Sequence, residues 1–168
     1  MNKFMRLLRH RRWDDDDAHR ALDTAALSRL AARVASSETR HSGEIRMCVE
    51  PGLPFSYIWR HATARERAVA LFGKLRVWDT AHNNGVLIYL LLAERRIEIV
   101  ADRGLNALVS ADEWAAETAA MAEAFAGRHF EAGLLHAIDT VDALLARHYP
   151  LAPGEANPNE LPDAPLLV

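Results

Sequence analysis

Two short polar segments of the chain carry the residue types that bind metal ions or phosphate. The first spans residues 79–85 and contains Asp79, His82, Asn83 and Asn84 within seven positions. Carboxylate and amide oxygens are ligands for Ca²⁺ and Mg²⁺, and an imidazole can exchange a proton near neutral pH. A polar turn is the alternative interpretation, because Asn-Asn-Gly tolerates left-handed backbone and the amides that enter a buried strand need partners.

The second polar segment contains Asp102 and Arg103. It follows residues 97–101, a predicted strand that pairs antiparallel with the apolar strand 85–93 across the polar turn 94–96. The residue before the first strand of a hairpin and the residue after the second lie at the same edge of the sheet. The hairpin therefore predicts that the two polar segments meet, although Asp102 could instead pair with Arg103 or cap the turn.

Other common catalytic motifs do not occur in the sequence. It has no glycine-rich phosphate loop, no G-x-S-x-G elbow and no H-E-x-x-H zinc motif. The single cysteine, Cys48, lies in the predicted strand 44–50 and lacks the arginine of a cysteine-phosphatase loop, so we predict an inert strand residue. Of the eight histidines, His82 alone lies in a polar cluster, and we predict surface positions for the others.

Composition limits the class of protein. The chain has 168 residues, of which 50% are hydrophobic and 26% charged, which favours one globular domain with a real core. A formal net charge of −3 argues against a nucleic-acid partner. Residues 1–13 are basic but lack the apolar core of a signal peptide, and the longest apolar run is too short to span a bilayer. We therefore expect a cytoplasmic protein.

The N-terminal segment 1–13 has the pattern of a short basic amphipathic helix, with Phe4, Met5, Leu7 and Leu8 as its apolar residues. Such a helix can attach to an anionic membrane surface or to a partner protein. It can equally dock on its own domain or fray as a chain terminus. The absence of a lipidation motif at the start of the chain favours the second interpretation.

The remaining elements follow from periodicity and capping signals. A stripe over residues 22–34 predicts a helix, and the alternation over 44–50 predicts a strand with one face better buried than the other. The aromatic residues at 55–59 are placed in a loop that caps the core or offers a contact surface. Capping boxes begin at Thr63 and Ser110. A third helical stripe runs from residue 134 to 145.

This order of elements predicts a single α/β domain, a sandwich with a small mixed sheet. Residues 18–149 form the domain, preceded by a basic and then acidic extension at residues 1–17. Residues 150–168 form a proline-rich tail that is extended or disordered, and the last three residues could pin it to the domain. The sequence leaves the oligomeric state open, because strand 44–50 or 97–101 could lie at an unpaired edge.

Residues 44–149 resemble the TPM domain family. The resemblance lies in four stretches: 71–75 (LFGKL), 83–88 (NNGVLI), 97–105 (IEIVADRGL) and 130–134 (FEAGL). It implies a three-layer α/β/α sandwich around a central mixed sheet, with a polar site at the sheet edge. By the same resemblance Asn83, Asn84, Asp102 and Asp112 would belong to that site. Members of the family are described either as metal-associated acid phosphatases or as assembly and interaction modules.

Two functional hypotheses follow from the polar convergence and the resemblance together. One is a module that binds a partner protein or a small phosphate-bearing ligand, with a divalent cation, Ca²⁺ or Mg²⁺, at the sheet edge. The other is a weak metal-dependent acid phosphatase, for which no nucleophile can be named. The predicted metal ligands are Asp79, Asp102 and Asp112, and the predicted ligand-binding residues are Asn83, Asn84 and Arg103. The catalytic candidates are His82, as the proton donor, and Arg103, as the group that binds the anion.

Overall fold

A mixed sheet of four strands in the order β3-β2-β1-β4 forms the centre of the protein. The computed structural model describes residues 3–110, 112–114, 116, 119, 127 and 129–168. The strands are β1 (Glu44–Glu50), β2 (Gly85–Leu91), β3 (Arg96–Ala101) and β4 (Leu166–Leu167). The helices are α1 (Lys3–Arg11), α2 (Asp15–Ala21), α3 (Thr24–Glu38), α4 (Phe55–Trp59), α5 (Ala64–Lys74), α6 (Arg103–Asn106) and α7 (Phe130–His148), with a 3-10 turn at Leu92–Glu94.

The predicted hairpin is the core of this sheet. β2 and β3 pair antiparallel in a register that places Val86 opposite Ala101 and Leu91 opposite Arg96. Arg95 adopts a left-handed conformation, φ 51°, at the turn between them. β1 lies beside β2 in parallel, and the short β4 pairs in parallel with the other side of β1.

Helices cover both faces of the sheet, which confirms the three-layer α/β/α sandwich. Alternate strand residues such as Ile45 and Ile88 pack with α3 and α7, while their neighbours Cys48 and Leu87 pack with α5. Successive side chains of a strand point to opposite faces, so a strand with a helical layer on each side must be apolar throughout.

The prediction of a one-sided β1 is wrong, since all seven of its residues are buried. Its charged residues are accommodated because each finds a polar partner inside the fold. Arg67 forms a bidentate ion pair with Glu50, with a shortest N–O distance of 2.6 Å. Arg46 donates to the carbonyl oxygen of Pro162, 2.8 Å away, in the C-terminal tail.

The helix predicted over residues 22–34 forms as α3, which begins two residues later than the pattern indicates. Leu22 ends α2, and Asp23 begins α3 by accepting a hydrogen bond from the Ala26 amide at 2.7 Å. The acidic end of the 1–17 extension begins a helix, because Asp14 and Asp17 form a reciprocal capping box at α2. The predicted box at Thr63 also forms at the start of α5.

Of the two segments predicted as irregular, residues 55–59 are helical and the C-terminal tail is extended with a short strand at its end. Residues 55–59 form helix α4 rather than a loop; Ile58 points into the core. The tail crosses the domain and ends in β4, where Cys48 pairs with Leu166 and Val49 with Leu167. The C-terminal leucines thus hold the tail to the sheet, one of the two outcomes that the sequence allowed.

Two histidines are buried, contrary to the predicted surface positions. His10 is 3% exposed, and its Nε2 lies 3.0 Å from a Glu94 carboxylate oxygen. His41 is fully buried with its Nδ1 3.0 Å from the carbonyl oxygen of Gly43. A polar partner lowers the cost of burying each ring, and periodicity carries no sign of such a partner.

Candidate functional site

The two polar segments meet at the end of the hairpin. The amide of Asp102 donates to the carbonyl oxygen of Gly85 at 2.9 Å, and the amide of Gly104 donates to the carbonyl oxygen of Asn83 at 3.1 Å. These backbone bonds close the edge of the sheet where β2 begins and β3 ends. The side chains on both segments are therefore held at a fixed separation by the sheet itself.

Asn83 positions the Arg103 guanidinium. The backbone of Asn83 is left-handed, φ 53°, which asparagine tolerates better than most residues. Its Oδ1 accepts from Arg103 Nε at 3.1 Å and from Arg103 Nη2 at 3.0 Å. Arg103 is otherwise exposed, so its charge lies at the surface of the site in a defined orientation.

Asn84 is completely buried beneath that surface. Its backbone amide donates to Thr80 Oγ1 at 3.1 Å, and its Nδ2 donates to the Ser42 carbonyl oxygen at 3.0 Å. The amide group thus ties the beginning of β2 to the residue that precedes Gly43 and β1. Its Oδ1 is buried and accepts no hydrogen bond within the part of the chain that the structure describes.

Asp102 follows β3, opposite Gly85 at the start of β2, and is 8% exposed. One carboxylate oxygen, Oδ1, accepts from the amide of Arg103 at 2.7 Å and caps α6. The other, Oδ2, is buried without a hydrogen-bond donor among the described residues. The cap predicted as an alternative role for Asp102 therefore exists, and it uses only half of the carboxylate.

Tyr149, at the end of α7, forms one wall of the site. A Cβ placed on Gly104 would lie 2.7 Å from the Tyr149 hydroxyl and 2.5 Å from the Asn83 carbonyl oxygen, so only glycine fits between them. Burial raises the pKa of the Tyr149 phenol, and the charge of Asp102 raises it further. The phenol is thus a neutral hydroxyl facing a carboxylate.

Three of the predicted site residues have surface positions. Asp79 is exposed, and its carboxylate pairs with Arg76 at 2.6 Å. His82 is exposed, with its carbonyl oxygen beside Gly104. Asp112 is exposed within the helical residues 112–114, and no hydrogen bond or ion pair joins its side chain to the sheet edge in the described ranges. The structure therefore brings together Asn83, Asn84, Asp102 and Arg103 only.

Sequence reasoning missed the residues that support this group. Ser42 and Thr80 hold Asn84, and Tyr149 closes the site from α7. The C-terminal tail also contacts the first polar segment, because the Glu160 carboxylate accepts a hydrogen bond from the amide of Ala81 at 3.1 Å. Thr80 lies within the first polar segment, whereas Ser42, Tyr149 and Glu160 come from distant parts of the chain that no spacing pattern links to the hairpin.

The donors at this edge suit a hard cation held by oxygen. No group of three or more histidine, cysteine, aspartate or glutamate side chains capable of holding a metal occurs among the described residues. The buried oxygens at this edge without a hydrogen-bond donor among the described residues are Asp102 Oδ2 and Asn84 Oδ1, and an ion bound to either would need water in its other positions. Such mixed oxygen coordination is characteristic of Ca²⁺ and Mg²⁺.

Cys48 contributes nothing to this chemistry, as predicted. It is fully buried in β1, and burial raises the pKa of its thiol to about 12. A thiol with that pKa carries almost no thiolate at neutral pH, so it is neither a nucleophile nor a metal ligand.

Comparison with known proteins identifies the family. The sequence profile described as the TPM domain, with the label TPM phosphatase, matches residues 16–144. The chain belongs to the TPM domain family. The TPM match includes the hairpin and both polar segments, whereas Tyr149 and the C-terminal tail lie beyond it.

A solved TPM-fold structure agrees with this assignment. The NMR structure of the BA42 protein from the psychrophilic bacterium Bizionia argentinensis superposes with a TM-score of 0.75 and is 26% identical. The similarity covers 88% of this chain and 95% of BA42. No curated protein matches the sequence. Across the described residues, no helix has the length and apolar character needed to cross a membrane.

Proposed function

We propose that this TPM protein is a ligand-binding module whose sheet edge holds a divalent cation, Ca²⁺ or Mg²⁺, and through it a phosphate-bearing ligand. The observation that carries the proposal is a pair of buried oxygens, Asp102 Oδ2 and Asn84 Oδ1, without a hydrogen-bond donor in the described part of the chain. A buried polar atom left without a partner costs about 1–3 kcal/mol. A cation that both oxygens contact would remove that cost.

The chemistry of the donors determines which ions we expect. At this edge Asp102 supplies a buried carboxylate, and Asn84 supplies a neutral oxygen. Neither is a soft ligand, so the site favours Ca²⁺ or Mg²⁺ over Zn²⁺ or copper. Because affinity for Ca²⁺ rises with the number of ligand charges, one carboxylate supports a Kd on the order of 10⁻⁴–10⁻³ M.

Arg103 is the residue that would bind the phosphate group of the ligand. Its guanidinium is exposed at the site and is oriented by two hydrogen bonds to Asn83 Oδ1. An oriented guanidinium beside a bound cation is suited to a phosphate group, since charge-assisted hydrogen bonds and the ion would both contact its oxygens. We therefore expect phosphate to bind more tightly when the cation is present.

Thermal unfolding with added ions tests the cation site. Metal-stripped protein is titrated with Ca²⁺, Mg²⁺, Mn²⁺ or Zn²⁺, and a ligand at a hundredfold excess over its Kd stabilises the folded state by about 2.7 kcal/mol. Asp102→Asn keeps an oxygen to cap α6 and should abolish the shift. Asp79→Asn is the matched control and should keep it, because that carboxylate is exposed and paired with Arg76. An unchanged shift in Asp102→Asn would refute the site.

A weak acid phosphatase is the second candidate, and the label of the family profile is the observation that favours it. The bound cation and Arg103 would neutralise phosphate oxygens, while His82 would protonate the leaving group. The buried Cys48 cannot form a phosphoenzyme, and in this scheme a water molecule attacks phosphorus while the protonated alcohol leaves.

Hydrolysis of p-nitrophenyl phosphate in the presence of Ca²⁺ or Mg²⁺ separates the two candidates. A phosphatase should lose activity in Arg103→Ala and His82→Ala and keep it in Asp79→Asn. Hydrolysis that does not exceed the rate in buffer would exclude the phosphatase while leaving the binding module intact.

A further inference from the structure

Helix α1 packs on the domain through polar side chains. Arg6 Nε lies 2.8 Å from a Glu94 carboxylate oxygen, and its Nη2 donates to the Ala62 carbonyl oxygen at 2.7 Å. His10 Nε2 lies 3.0 Å from the same Glu94 oxygen, while the Leu53 amide donates to His10 Nδ1 at 3.0 Å. The hydrogen bond from His10, followed by the one from Arg6, lowers the pKa of Glu94 to about 2.

The opposite side of α1 is apolar and faces solvent. Phe4, Met5 and Leu8 are 65%, 61% and 45% exposed. A surface helix ordinarily buries its apolar stripe against the core and turns its charged face outward. In α1 this arrangement is reversed, because the inward positions are taken by Arg6 and His10.

Helix α4 extends the same apolar surface. Phe55 and Trp59 are 59% and 63% exposed, and their ring centroids lie 5.7 Å apart. α1 and α4 pack against each other, with Leu7 and Phe55 among the residues that line the groove between them. We refer to Phe4, Met5, Leu8, Phe55 and Trp59 together as the α1–α4 patch.

Arginines lie beside the α1–α4 patch. Residues 3–13 and 51–62 contain no aspartate or glutamate. Arg9, Arg11 and Arg12 are exposed on and just after α1, whereas Arg60, at the end of α4, is paired with Glu66 at 3.2 Å. The acidic run at residues 14–17 follows these arginines, and Asp14 and Asp17 cap α2. Exposed aromatic and aliphatic side chains with arginines beside them are characteristic of interfacial helices on anionic membranes.

We propose that the α1–α4 patch attaches the protein to an anionic lipid bilayer surface. Phe4, Met5, Leu8, Phe55 and Trp59 would enter the boundary between headgroups and acyl chains, and the arginines would contact lipid phosphates. A second copy of the chain fits less well, because a symmetric contact through this patch brings the same arginines together. The attachment does not depend on the proposed cation site, which lies at the hairpin end of the sheet.

Sedimentation with vesicles tests this attachment. The full chain should co-sediment with phosphatidylcholine vesicles that contain phosphatidylglycerol, and added salt should release it. Each exposed arginine near the surface contributes about fivefold to the partition coefficient, so Arg9→Ala combined with Arg12→Ala should weaken binding by roughly 25-fold.

Two tryptophan variants locate the contact. Trp59→Ser should lose binding. Trp78→Ser should keep binding, because Trp78 lies outside the α1–α4 patch. It is a matched control: Trp78 is 48% exposed, and the Arg76 guanidinium lies 5.9 Å from its ring. Phe4→Ser provides a second change on the other helix, and the melting temperatures of all three variants should match the wild type.

Three results would overturn the proposal. The first is no binding to the vesicles that contain phosphatidylglycerol. The second is equal binding by Trp59→Ser and Trp78→Ser. The third is a dimer in analytical ultracentrifugation that Phe4→Ser and Trp59→Ser both dissociate, which would make the α1–α4 patch a protein interface instead.

Discussion

The buried carboxyl of Glu38 should make the stability of this protein depend on pH in a predictable way. Glu38 ends α3, is 4% exposed and accepts a hydrogen bond from the Ile45 amide at 3.0 Å. Burial raises its pKa from the ordinary 4.5 to about 8, and the carboxylates of Glu44 and Asp163 add to the rise. The folded protein therefore keeps this proton at neutral pH.

The sign and size of the effect follow from that difference in proton binding. The unfolded chain releases the Glu38 proton near pH 4.5 and the folded protein near pH 8. Between these values the folded state holds one more proton, so each pH unit of increase lowers the free energy of unfolding by about 1.4 kcal/mol. The stabilisation by the protonated Glu38 is complete below pH 4.5 and is lost as the pH rises through about 8.

Urea unfolding of the wild type and of Glu38→Gln across this pH range tests the argument. Glutamine keeps an oxygen acceptor for Ile45 but does not ionise, so the variant should become more stable than the wild type by about 1.4 kcal/mol per pH unit. Groups that do not interact with Glu38, such as His41, whose pKa burial lowers, cancel in the difference. The exposed Glu155→Gln is the control and should follow the wild type. A constant difference between Glu38→Gln and the wild type would refute the reasoning.

Two further predictions concern stability near the site and at a helix cap, and chemical denaturation measures both. Gly104→Ala should destabilise the protein by about 1–3 kcal/mol, because the new Cβ would approach the Asn83 carbonyl oxygen. Gly73 lies in α5 with open space around it, so Gly73→Ala should stabilise the protein by about 0.5–1 kcal/mol. If both alanines had the same effect, the close approach at Gly104 would be unimportant. Thr63→Ala should cost about 1 kcal/mol, since it removes the acceptor for the Glu66 amide; an unchanged midpoint would mean that the cap contributes nothing.

The sheet edge was predictable from the sequence because its residues are joined by a local hairpin. The apolar run ending in a polar turn fixes β2 beside β3, and that pairing alone brings Asn83 to Arg103. The same local logic predicts the capping box at Thr63 and the inert Cys48. Patterns confined to neighbouring residues carry enough information for each of these features.

Features that depend on contacts distant in sequence were not predictable. The inward polar face of α1 depends on Glu94, and the burial of Glu50 depends on Arg67. β4 has only two residues, too few for a strand pattern, and its position is defined by pairing with β1. For the same reason Tyr149 could not be assigned to the site before the fold was known.

The binding of a cation between Asp102 and Asn84 is the central claim, and an NMR titration of the ¹⁵N-labelled protein with Ca²⁺ tests it most directly. We predict saturable shifts of the backbone amides near Asn84 and Asp102 and of the Asn84 side-chain amide, with the same titration flat in Asp102→Asn. Absence of saturable shifts with both Ca²⁺ and Mg²⁺, or shifts centred on another part of the protein, would contradict the account.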